Sequence, residues 1–117
     1  MLVEQIIKRT VDLQGFRVDT VTQAPDGLIA EIRPDTRYRI RCGTCGHPAA
    51  CRDLRDARLF RHVPLSNIPV WFHYQPRRVH CSRCGGVRTA LLPWVTGKQR
   101  LTRAYSCFLA KWAELLP

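Results

Sequence analysis

Acid is what this 117-residue chain has least of: nine Asp and Glu stand against nineteen Lys and Arg, a formal net charge of +10. Long apolar runs are missing too. None approaches the roughly 18 to 20 residues that span a bilayer, and Met1 to Lys8 lacks the apolar stretch of a signal peptide. A cytoplasmic protein with no membrane partner is therefore expected. There is no internal repeat, low-complexity tract or long Ser/Gly linker, and the length suits one domain. A hydrophobic fraction of 45% with 24% charged residues excludes wholesale disorder. Candidates for catalysis are equally scarce. Ser66 and Ser82 sit in no nucleophile motif, and Asp53 and Asp56, set among Arg52, Arg55 and Arg58, read as local ion pairs rather than as metal ligands.

The excess charge is unevenly placed. Residues 1–36 carry four Lys/Arg and six Asp/Glu, whereas residues 37–103 carry fourteen Lys/Arg and two Asp/Glu. Sixteen of the nineteen cations are Arg, whose planar fork meets phosphate or a guanine edge where Lys offers only a point charge. Such a segment points to a polyanion, with double-stranded DNA the expected partner. The candidate DNA contacts are Arg37, Arg39, Arg41, Arg61, Arg77, Arg78, Arg83, Arg88, Lys98, Arg100 and Arg103. A zinc-ribbon module for protein interaction or dimerisation is the competing reading, and the two differ in their response to salt.

Periodicity gives a coarse architecture. Leu2, Val3, Ile6 and Ile7 recur at helical spacing, which predicts a short helix ending before Gly15. Phe16–Val21 and Leu28–Ile32 flank the turn signal Pro25-Asp26-Gly27 and read as a β-hairpin. Arg37 to Arg41 alternates strictly, predicting a strand with three Arg on one face and Tyr38 and Ile40 on the other. Leu59–Val63 and Ile68–Tyr74 look extended around a Pro64–Asn67 turn, and Val87–Leu92 resembles a closing strand that Pro93 stops. From Thr102, a plausible N-cap, to Leu116, an apolar stripe of Tyr105, Phe108, Leu109, Trp112 and Leu115/Leu116 predicts a helix. That stripe needs cover, so the helix is expected to fold back on its sheet or to self-associate as a homodimer. Trp94, Trp112 and Cys107 are expected in the core, Trp71 against a helix, and Cys51 as a buried free thiol. The expected fold is α+β. It divides into a helix and hairpin over 1–36, a small zinc ribbon of antiparallel strands over 37–98, and a C-terminal helix over 99–117 that can open a helix-turn-helix region.

Four of the six cysteines form Cys42-x2-Cys45 and Cys81-x2-Cys84. A C-x2-C step lets two thiolates from one tight turn point at a single ion about 2.3 Å away, and Gly46 and Gly85 follow to supply the backbone angles of such a knuckle. Disulfides within each pair would close loops too small to remove much unfolded-state entropy. One structural Zn2+ on four thiolates is expected, and a small domain with short strands needs it to fold. Four Cys leave no open position for a catalytic metal. Iron in a rubredoxin-like site has similar ligands, but an Arg-rich segment does not suit an electron carrier. His47 and His80, beside the knuckles, are alternative ligands for one position.

Beyond the paired knuckles, the chain carries Gly15-Phe16-Arg17-Val18, Phe60-Arg61-His62-Val63-Pro64, Arg77-Arg78-Val79-His80-Cys81 and Leu92-Pro93-Trp94. With these segments it resembles, over most of its length, the N-terminal zinc-binding domain of insertion-sequence transposases of the ISL-three family. Gly43 stands where that family often has Pro. The resemblance implies recognition of element-end DNA, with a helix-turn-helix region and a metal-dependent catalytic domain of RNase H type beyond this segment. It implies no catalysis by these residues themselves.

Overall fold

The computed structural model describes residues 13, 15–95 and 100–116, arranged in two sheets and one helix. The expected N-terminal helix lies outside the described residues. Strands β1 (Phe16–Ala24) and β2 (Gly27–Pro34) form the predicted hairpin around Pro25-Asp26, with Asp19 an extra residue that bulges β1. Strands β4 (Arg58–Leu65) and β5 (Ile68–Tyr74) form a second hairpin, and the four make one sheet in the order β1-β2-β5-β4. The smaller sheet has the order β3-β6-β7, built from Ala50–Leu54, Arg77–Cys81 and Gly86–Thr89. The class is α+β, as the sequence predicts.

Among the described strands one pairing is parallel. Leu28, Ile29, Ala30 and Glu31 of β2 register with Val70, Trp71, Phe72 and His73 of β5. The inserted hairpin β4–β5, which lies between the two cysteine pairs in sequence, is thereby hydrogen-bonded to the N-terminal hairpin. It leaves the smaller sheet at Arg55 and returns at Pro76, and the Arg55 N–H donates to the Pro76 carbonyl at 2.8 Å, pinning the two connections together.

The main core forms on one face of the larger sheet, where Phe16, Val18, Leu28, Ala30, Ile32, Phe60, Val70, Phe72 and Tyr74 are buried with Trp94 and Val95. Trp94 meets Phe16, Phe60, Phe72 and Tyr74 edge-to-face, at centroid separations of 5.1–6.0 Å, the geometry that ring quadrupoles favour. Helix α1 (Arg103–Leu115) starts at this core. Its N-cap Thr102 is buried, accepts from the Tyr105 N–H at 3.2 Å, and lies 2.8 Å from His62 Nδ1. Because Oγ1 already accepts, the hydroxyl hydrogen is available to the His62 ring, and burial holds His62 down to about 4, so it stays neutral.

Several expectations need correction. Arg37 lies in the turn that the Tyr38 N–H closes on the Asp35 carbonyl at 3.0 Å, and Tyr38 to Ile40 belong to no strand; the Arg are exposed and Tyr38 and Ile40 half-buried, but only Arg41 bridges, to Pro48, because alternating burial does not require a strand partner. The closing strand ends at Thr89 rather than Leu92, because Ala90 turns to bridge Cys42. Trp112 is 52% exposed, and Cys51 and Cys107 are exposed rather than buried. Helix α1 touches β4 with its first half only: Tyr105 and Phe108 are half-buried, while Leu109, Trp112, Leu115 and Leu116 face outward.

Candidate metal centre and basic face

The two knuckles are built alike. In the first, the Thr44 N–H donates to Cys42 Sγ at 3.4 Å and Gly46 N–H closes the turn on the Cys42 carbonyl at 2.9 Å. In the second, the Cys84 N–H donates to Cys81 Sγ at 3.4 Å and Gly85 N–H closes on the Cys81 carbonyl at 2.9 Å. Gly46 and Gly85 adopt φ of +75° and +74°, left-handed angles that a Cβ disfavours. The strands aim the knuckles at each other: β6 runs into Cys81, and the first knuckle is held to the end of β7 by the Cys42–Ala90 bridge and a 2.9 Å bond from Gly43 N–H to the Thr89 carbonyl. A Cβ on Gly43 would come within 2.5 Å of that carbonyl oxygen, and Pro would have no N–H to give it.

The four sulfurs lie within 4.8 Å of one another, with Cys42–Cys84 at 3.8 Å and Cys45–Cys81 at 3.6 Å. A tetrahedron of sulfurs around zinc, with bonds of about 2.3 Å, has edges of about 3.8 Å, so the spacing fits one ion and is too wide for disulfides. The protonation pattern suits a cation. The backbone N–H of Cys45 draws the Cys42 thiol down to about 6, and that of Cys84 lowers Cys81, so both are shifted toward the thiolate. Cys84, hydrogen-bonded to Cys45 and then affected by burial and by its other sulfur neighbours, is pushed up to about 12, retaining a proton that a metal ion would displace. The four thiols form a site for one structural zinc, leaving no open coordination position. His47 and His80 do not enter it. In β6, His80 is exposed between Val79 and Cys81, whose side chains point inward. Among the described residues no carboxylate joins a metal-capable cluster.

The candidate DNA residues fall into three groups. Arg37, Arg39, Arg41, Arg83, Arg100 and Arg103 are exposed. Arg41 is also anchored, since its guanidinium donates to the Gly46 carbonyl at 3.2 Å and its own carbonyl accepts from the Leu91 N–H at 2.8 Å. Arg77 and Arg88 are half-buried, Arg88 donating to the Val87 carbonyl at 2.9 Å. Arg61 and Arg78 have intramolecular partners. The Arg61 guanidinium lies between the rings of Trp71 and Tyr105, 5.1 and 5.6 Å from their centroids, joining β4 and β5 to α1. Trp71 thus packs on the helix through an intervening arginine. Arg78 grips Asp53 with both Nε and Nη2, the former at 2.7 Å, and holds that carboxyl below its usual range. The expected local pairs of Asp53 give way to this cross-strand one because a bulge after Cys51 brings Asp53 opposite Arg78. Lys98 lies outside the described residues.

Over 107 residues the chain is 30% identical to the transposase for insertion sequence element IS1001 from Bordetella parapertussis. The match covers 87% of this chain and 26% of that protein, so the chain spans about a quarter of the curated relative's length. No protein-family profile matches the chain, and no solved structure matches it. The chain is thus similar to part of a transposase, and its four cysteines are placed to hold one metal ion. Among the described residues no helix is long and apolar enough to cross a membrane.

Proposed function

We propose that this chain is the DNA-binding zinc domain of a transposase of the ISL-three type, acting in the cytoplasm on double-stranded DNA at the ends of an insertion element. The observation that carries the reading is the basic segment anchored to the first knuckle and to the chain leaving β7. Arg37, Arg39 and Arg41 are exposed along the strap between β2 and the first knuckle, and Arg41 is tied to that knuckle and to the chain leaving β7. Zinc on the four thiolates fixes that backbone, which limits the entropy lost when phosphates bind. Likeness to part of a transposase supports the same partner. Strand transfer is assigned to residues outside this segment.

The test is a salt titration of fluorescent duplex binding by the zinc-loaded protein. If about four to six phosphates are neutralised, log K falls against log salt with a slope of about −4 to −5. The Arg37→Ala/Arg39→Ala double variant flattens that slope by roughly 1 to 2 and weakens all sequences alike. Affinity indifferent to salt, or no binding in dilute buffer, overturns the reading. One observation favours a second function beside the first. The exposed Leu109, Trp112, Leu115 and Leu116 of α1 suit a protein contact, including a homodimer, which sedimentation at increasing concentration detects.

A further inference from the structure

A cleft of about 620 Å³ opens between the smaller sheet and β4, within the roughly 300 to 1,000 Å³ of small-ligand sites. Among the described residues Arg55, Arg58 and Arg88 line it, and no Asp or Glu does. Its remaining surface is largely apolar, with Pro76, Val87 and Leu92 among the lining side chains. Of the two acids near them in sequence, Asp53 is engaged by Arg78 on the adjacent strand, and Asp56 neither lines the cleft nor forms an ion pair with Arg55 or Arg58. Arg55 is steadied by a 3.4 Å bond from Nη1 to Thr89 Oγ1, which leaves its other N–H groups free to donate.

Three guanidiniums without a carboxylate select an anion, and forked donors suit the oxygens of a phosphate. An apolar wall beside them suits the flat face of a base. A base inside a duplex has both faces stacked and its edge paired, so it cannot enter such a space unless it leaves the helix. Resting on the DNA-binding reading, we propose that this cleft seats one unpaired nucleotide of the bound DNA, its phosphate against Arg55, Arg58 and Arg88 and its base on the apolar wall. The site therefore distinguishes DNA with a displaced base from a perfect duplex, a discrimination that exposed arginines alone do not provide.

The experiment compares two fluorescent duplexes of one sequence, fully paired or carrying a single unpaired 2-aminopurine, bound to the zinc-loaded chain. Wild-type protein binds the bulged duplex at least about fivefold more tightly, the lower end of what one stacked base contributes. Its 2-aminopurine emission also changes on binding. In Arg55→Ala/Arg58→Ala the preference and the emission change disappear, while affinity for the paired duplex falls by less than the lost preference. Zinc content and the thermal midpoint verify folding of the variant, and Arg88→Ala provides an independent second removal. Equal wild-type affinity for the two duplexes, or a preference that survives both variants, overturns the inference and leaves duplex binding standing. Absence of binding to either duplex overturns the proposed function and this inference with it.

Discussion

The two sheets are stabilised by different means. The larger one covers a continuous apolar core that includes five buried aromatic rings, Phe16, Phe60, Phe72, Tyr74 and Trp94, whereas the buried cluster of the smaller one is Cys42, Val79 and Cys81. Burial on that scale can hold the larger sheet by the hydrophobic effect. The smaller sheet has two ligands and a valine, so metal binding must supply what its core cannot; structural zinc offers about 10 to 16 kcal/mol of apparent binding energy. The sequence-based expectation that the whole domain needs zinc is thereby narrowed. The metal organises the knuckles, β3, β6 and β7, and with them the anchored end of the Arg37–Arg41 strap, while β1, β2, β4 and β5 have a core of their own.

Metal removal should give the largest effect. Cys81→Ser is expected to lose the zinc and most duplex affinity, while Cys51→Ser and Cys107→Ser, whose thiols are exposed and outside the cluster, retain both. Metal content by mass spectrometry of the native protein checks this, and it separates zinc from iron in the same spectrum. A reciprocal perturbation comes next. Phe72 is fully buried at the centre of the larger sheet, and Phe72→Ala should cost about 3 to 5 kcal/mol in denaturant unfolding while leaving one zinc per chain at low denaturant. Zinc loss in that variant would show that the two sheets do not stabilise themselves separately.

Acid should separate the regions more finely. Burial depresses His62 from 6.5 to about 4, so the folded state binds fewer protons than the unfolded state between those values. Stability is then full above about pH 6.5, declines as pH falls toward 4, and loses at most about 3 kcal/mol through this residue. His62→Gln should remove that part of the slope. Proton competition for the four thiolates, which also weakens zinc binding as pH falls, should persist in the variant. Unfolding curves of both proteins across this range, followed with zinc content, test the assignment.

Much of this was legible locally. The C-x2-C spacing with its following glycine specifies a knuckle within five residues, Pro25-Asp26-Gly27 specifies a turn, and Thr102 ahead of an apolar stripe specifies a capped helix. What escaped depends on residues far apart in sequence. Nothing near Leu28 announces a parallel partner at Val70, since apolar residues on either strand suit many pairings. Asp53 found Arg78 through a strand bulge rather than through its neighbours, while Arg55 and Arg58 line a cleft. The stripe of α1 identified a helix, but periodicity does not reveal how much of a stripe the same chain covers. Trp112 is exposed for that reason, since β4 covers only the first half of the helix.

Hydrogen exchange of the zinc-loaded protein, with and without a strong chelator, tests the central claim most directly. The account predicts that chelation strips protection from Gly46 and Gly85, whose N–H groups close the knuckles, and from β6 and β7, while the paired amides of β2 and β5 remain protected. Loss of protection throughout, or protection of the knuckles unchanged by chelation, would contradict it.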